Sequence, residues 1–151
     1  MGILKIYLDT SVIGGCFDKE FEKFSNLLFL KFQKKLCIPL ISEVVLAEIE
    51  KAPSAVRQKL EELKDIKVIT VTKEMKTLAK KYVEEKIVTP KYADDALHIA
   101  ISTIIKVDVL VSWNFKHIVN LNKIHEFNLV NKREGYNILE IRTPREVVGD
   151  E

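Results

Sequence analysis

The sequence predicts an α/β fold built on an open, largely parallel sheet, and three observations carry that prediction. Its 151 residues are about one ordinary domain, so the expectation is one domain over 1–151. The composition, 47% hydrophobic and 30% charged with five Gly and four Pro, is that of a compact chain able to bury a core. Short β-branched runs alternate with longer segments of helical periodicity, the pattern of a parallel sheet covered on both faces with right-handed crossovers.

The strand-length runs are 3–8 (ILKIYL), 36–41 (LCIPLI), 66–71 (IKVITV), 107–111 (VDVLV) and 137–141 (NILEI). They are mostly continuous in apolar residues, as buried parallel strands are. Helices are expected over 20–35, 42–51, 54–64, 73–87 and 90–106. In 20–35, Phe21, Phe24, Leu27, Leu28 and Phe32 recur at helical spacing, whereas Phe29 falls off that face and makes the helix a candidate partner surface. Thr89-Pro90 reads as an N-cap with Pro at the first helical position.

Several function classes are excluded by counting. A formal net charge of +2 is too small for polyanion binding by bulk charge alone. Cys16 and Cys37 are isolated, without a CxxC or Cys/His cluster, which argues against a thiolate zinc site and a disulfide scaffold and points to a reducing, cytoplasmic setting. No secretory signal is visible, and no run approaches the roughly 18 apolar residues of a membrane span.

In such sheets function sits at the carboxyl ends of the strands, and acids stand there. The first strand runs into Asp9-Thr10-Ser11, either a helix cap or a carboxylate at the working edge. Ser42 reads as the cap of helix 42–51. On a wheel of about 100° per residue Glu48 lies about 40° from Val44, inside the apolar face, while Glu43 and Glu50 lie opposite. A carboxylate on an apolar face must be paired, protonated or metal-bound, so a buried salt bridge and a metal ligand both stay open.

Helix 90–106 carries an apolar stripe of Ala93, Ala96, Leu97, Ala100, Ile101, Ile104 and Ile105, leaving a narrow polar face of Asp94, Asp95, His98 and Ser102. Two acids in a first turn also suit the helix dipole. His98 is placed to orient one of those acids. The strand 107–111 delivers Ser112-Trp113-Asn114, where Asn114 offers a carbonyl oxygen to a cation or a hydrogen bond to water, and Trp113 reads as a core or interface anchor. Converging hard oxygen ligands without His or Cys select Mg²⁺ or Mn²⁺ over Zn²⁺, and such cations serve phosphate chemistry.

Four strings, YLDTSVI at 7–13, ISEVVLAEIEKA at 41–52, DDALHIA at 94–100 and SWNFKHI at 112–118, together resemble the PIN-domain nucleases, most closely the small VapC-type toxins of bacteria and archaea. The likeness spans nearly the whole chain, including NILEIRT and Pro144 near its end. It implies a three-layer α/β/α fold with a parallel sheet of four to five strands, and a Mg²⁺- or Mn²⁺-dependent endoribonuclease acting on single-stranded RNA. By position Asp9, Glu48 and Asp95 match the acidic metal ligands, with Asp94 in reserve because the acid of that pattern directly precedes a small residue. Asn114 stands where the pattern has a further acid, which implies at most one tightly held cation. Thr10, Ser11, Ser112, Lys116 and His117 become substrate contacts, with Lys123 completing a basic rim. The resemblance also implies a small antitoxin partner and a homodimer. A PIN-like module that binds RNA or protein with little turnover is the alternative. A haloacid-dehalogenase-type phosphohydrolase is disfavoured because Ser11 stands where that family has its second acid.

Overall fold

The computed structural model describes residues 2–149. Five parallel strands form one sheet in the order β3-β2-β1-β4-β5. The elements run β1 (Lys5–Leu8), α1 (Thr10–Gly15), α2 (Glu22–Gln33), β2 (Ile38–Ser42), α3 (Glu43–Glu50), α4 (Ser54–Glu61), β3 (Lys67–Ile69) and α5 (Lys73–Glu84). A 3₁₀ turn at Pro90–Tyr92 then leads into α6 (Ala93–Ile104), followed by β4 (Val109–Val111), α7 (Leu121–Arg133), β5 (Ile141–Arg142) and α8 (Pro144–Val148).

Ile6, Tyr7 and Leu8 on the central strand are fully buried. Tyr7 pairs with Leu40 on one side and Leu110 on the other. The chain builds outward from β1 to β3, then returns to lay β4 on the opposite side of β1. That reversal opens a crevice beyond the carboxyl ends of β1 and β4, where ligands of open α/β sheets bind. Helices α1 to α4 and α8 pack among themselves, as do α5, α6 and α7, giving the sheet its two helical layers.

Several elements differ from the expectation. The last strand is two residues, Ile141–Arg142, because β4 is short and hydrogen-bonds only around them: Leu110 N–H donates to Glu140 O and Ser112 N–H to Arg142 O. The expected helix 90–106 is a 3₁₀ turn followed by α6, and the Thr89 side chain caps nothing. Helix α7, absent from the sequence reading, is capped by Asn120, which accepts from Lys123 N–H at 3.2 Å. Its buried positions are few, so its apolar stripe is weak in the sequence. Phe32 is buried as its spacing indicated, and Phe29 is also a core residue, lying under the Lys59 ammonium, so it does not form the partner surface that its own spacing indicated. Among the described residues no helix is long and apolar enough to cross a membrane.

Candidate active site

Four chain segments meet at the crevice. β1 continues its ladder into Asp9, whose N–H donates to Val111 O at 3.3 Å. Although Asp9 stands at the N-cap position of α1, its side chain caps no backbone N–H. It is 4% exposed, and each oxygen accepts from a seryl hydroxyl at 2.6 Å, Oδ1 from Ser11 and Oδ2 from Ser112. Those hydroxyls are held in turn, since Ser11 Oγ accepts from Trp113 N–H and Ser112 Oγ from Asn114 N–H, both at 2.9 Å. Asp9 is thus stitched to the end of β4. Burial pushes its carboxyl above the ordinary range and Glu48 adds to the rise, against the His98 charge and both seryl bonds.

Trp113 fixes the outer side of this loop. Its ring stacks on Phe21 with centroids 4.3 Å apart, and Nε1 donates to Ser25 Oγ at 2.8 Å, an anchor and not an open base platform. The approach requires glycine at 15, where a Cβ would stand 2.7 Å from both Ser25 Oγ and Trp113 Nε1.

Glu48 is half-buried on α3, where the wheel set it. Its Oε1 accepts from Thr10 Oγ1 at 2.8 Å and from His98 Nε2 at 2.9 Å. His98, 2% exposed, reaches back through Nδ1 to Tyr7 Oη at 2.7 Å, which contacts Ser42 Oγ at 2.7 Å. A buried chain of hydrogen bonds therefore runs from Ser42 through Tyr7 and His98 to Glu48 and Thr10. Burial opposes charge on both ring and carboxylate, yet their bond wins: Glu48 lies below the ordinary range and His98 above its own. His98 orients Glu48 rather than an acid of its own helix, and Ser102 on the same face is buried, donating to His98 O.

Replacing His98 with Leu is expected to cost about 2–3 kcal/mol, because the Tyr7 hydroxyl and Glu48 both lose a buried partner. A group raised in the folded state stabilises fully below its unfolded pKa, and the benefit fades as pH rises through its folded value. The gap between parent and variant should thus be widest in mild acid and narrow in alkali. Urea unfolding at several pH values checks this, and a gap that widens with pH would contradict it.

Asp95 on α6 faces the cluster, whereas Asp94 is exposed and lines a separate surface hollow with Lys76, Lys80 and Leu97. Burial pushes the Asp95 carboxyl up to about 6; the His98 charge opposes this, the Asp9 and Glu48 charges add to it, and the Asn114 side chain hydrogen-bonds it. Asn114 differs from expectation. Its Oδ1 accepts from Lys116 N–H at 3.2 Å and His117 N–H at 2.9 Å, so the carbonyl assigned to a cation instead shapes the turn. Likewise the hydroxyls of Thr10, Ser11 and Ser112, expected to contact substrate, hold carboxylates. On the basic rim Lys123 is tied down, its Nζ donating to Ile87 O. Lys116 and His117 stand there with it, and the Lys123 charge reaches the His117 ring.

Among the described residues no three His, Cys, Asp or Glu side chains are grouped so as to hold a metal ion. In this arrangement two seryl hydroxyls engage Asp9, and His98 with Thr10 engages Glu48. The chemistry of the donor set still fits a hard divalent cation: Asp95 feels the charges of Asp9 and Glu48, Asp9 feels that of Glu48, and His98 is a cationic partner to all three.

No protein-family model matches the sequence, and no curated protein matches it. Solved structures do match. VapBC2 from Rickettsia felis, crystallised with a promoter DNA fragment, aligns over 93% of this chain and 98% of its own with a TM-score of 0.58 at 19% identity. The chain has the PIN-like fold of VapC-type toxins. The same PIN-like fold aligns with a toxin-antitoxin complex from Klebsiella pneumoniae over 78% of this chain and 93% of that one, with a TM-score of 0.58 at 13% identity. VapC20 from Mycobacterium tuberculosis, a toxin that cleaves the sarcin-ricin loop, aligns over 74% and 92% with a TM-score of 0.55 at 14% identity.

Proposed function

We propose that the chain is an endoribonuclease of the VapC type, hydrolysing phosphodiester bonds in single-stranded RNA with Mg²⁺ or Mn²⁺. The observation that carries this reading is the meeting of Asp9, Glu48 and Asp95, from three separate segments, around the buried His98 at the crevice of a PIN-like sheet. Asp9, Glu48 and Asp95 would hold the cation. When bound, it lowers the pKa of a water molecule and offsets charge developing on phosphate.

The protein's own groups do the positioning. Ser11 and Ser112 aim the Asp9 carboxylate, His98 and Thr10 aim Glu48, and the Asn114 side chain steadies Asp95. Lys116, exposed beside Asn114, supplies positive charge for a substrate phosphate at the rim. The biology proposed with this chemistry is that of a cytoplasmic toxin in a type II toxin-antitoxin pair, held by a small antitoxin and acting as a homodimer. The solved relatives that are toxin-antitoxin complexes support that proposal.

A second reading has its own observation. Asn114 brings no charge and its carbonyl is spent on the turn, which favours a weakly catalytic module that grips RNA or protein. One experiment separates the two. Unstructured and duplex RNA are incubated with the chain in Mg²⁺, Mn²⁺ or EDTA, and thermal stability is followed as the ions are titrated. The nuclease reading expects cutting of the unstructured RNA only with an ion, and a melting temperature that rises with it. No cutting and no thermal shift would leave the binding module.

A further inference from the structure

Beside the acid cluster stands a second group, of which the hydrolytic reading uses Lys116 alone. Tyr92 ends the turn that leads into α6, three residues before Asp95. The His117 ring packs on it with centroids 3.9 Å apart and planes 31° apart. Two ammonium groups lie over the same tyrosine ring, Lys91 Nζ at 5.6 Å and Lys116 Nζ at 5.7 Å from its centroid. Asn114 ties this group to the active crevice, since it hydrogen-bonds Asp95 and its Oδ1 holds the N–H groups of Lys116 and His117.

His117 is the unusual member. Both ring nitrogens are shielded from solvent, and neither has a hydrogen-bond partner among the described residues. Shielded polar atoms in folded proteins nearly always have partners, and leaving them without one is costly. Burial, then the Lys116 and Lys123 charges, hold the imidazole below its ordinary pKa, so at neutral pH it is an uncharged ring with one donor and one acceptor. An uncharged imidazole packed on tyrosine widens the aromatic face.

Aromatic faces and flanking cations are the parts of a single-strand nucleic-acid platform. We infer that Tyr92, His117, Lys91 and Lys116 grip one nucleotide of a single-stranded RNA next to the acid cluster. A base stacks on the Tyr92–His117 pair, and the two lysines face the neighbouring phosphates. The inference rests on the RNA reading above and deepens it, by saying why a paired strand is refused: a base locked in a duplex cannot reach the stack.

The test is binding, measured with cutting switched off. A labelled, unstructured oligoribonucleotide and a duplex of the same strand are titrated with the full chain in EDTA, with fluorescence anisotropy as the readout. Tyr92→Leu is expected to bind the single strand about tenfold more weakly and the duplex as the parent does, while Tyr92→Phe stays within about twofold. His117→Phe keeps the stack and should stay within about twofold, whereas His117→Ala removes half of it and should weaken single-strand binding several-fold. Lys116→Gln should flatten the slope of log affinity against log salt by about 0.7. Parental single-strand affinity in Tyr92→Leu overturns the inference and leaves the surface to a protein partner; so does an equal loss on the duplex. If Tyr92→Leu does not fold, His117→Ala and Lys116→Gln decide in the same way. Failure of the hydrolytic reading is seen separately, as absence of cutting by the parent with Mg²⁺ or Mn²⁺ while this binding pattern holds.

Discussion

An Asp9→Asn chain is expected to cut unstructured RNA on the order of 10³-fold more slowly than the parent, or not at all. The argument starts from position. Asp9 follows the central strand, and its N–H still pairs with Val111 O, so its carboxyl is fixed at the crevice by the sheet itself. Asparagine keeps the shape and one oxygen for a seryl hydroxyl but removes the charge. If the carboxylate's work is to hold a divalent cation and through it offset charge on phosphate, several kcal/mol of transition-state stabilisation go with that charge. Initial rates with saturating Mg²⁺ or Mn²⁺ measure the effect, and circular dichroism shows whether the fold survives. A folded variant within tenfold of the parent rate would remove Asp9 from the site.

The fold and the acids were legible for the same reason: both lie on short-range patterns. The continuous apolar runs of β1, β2 and β4 announce buried parallel strands, and Asp9 and Ser112 follow two of them directly. Glu48 stood out because an acid on the apolar face of α3 contradicts the periodicity around it. What connects these residues was not legible, because hydrogen bonds between Ser112 and Asp9, or His98 and Glu48, span 103 and 50 positions of chain. So the seryl hydroxyls read as substrate contacts when they in fact hold a carboxylate. One signal was available for the His98 chain. A tyrosine in the middle of the central strand has a hydroxyl that must find a partner, and Tyr7 finds His98 and Ser42. The missed helix α7 shows the opposite limit, since it buries only Phe127, Val130 and Asn131 and leaves Leu121 and Leu129 in solvent.

Asp95→Asn is expected to lose activity and gain stability together. Burial is the first cause of the rise in the Asp95 carboxyl from 3.8 to about 6; the His98 charge works against it, and the Asp9 and Glu48 charges add to it. Below about pH 4 the group is protonated in both folded and unfolded chains, so it costs nothing there. Between about 4 and 6 the unfolded chain releases the proton first and stability falls as pH rises. Above about 6 the full cost is in place, about 1–3 kcal/mol once partial exposure to solvent is allowed for. Asparagine never ionises, so the variant should melt a few degrees higher than the parent at neutral pH and at the same temperature near pH 4. A divalent cation held by the three carboxylates would relieve the same repulsion in the parent. Mg²⁺ or Mn²⁺ should therefore raise the parent's melting temperature more than the variant's, while the variant's cutting rate falls by about 10²-fold or more. A variant that melts lower than the parent at neutral pH would show that Asp95 is held by a structural partner and is not under strain for a ligand. An acid that destabilises the crevice by its own charge is then one whose charge the bound state needs, and calorimetry with and without the ion reads both sides of that exchange.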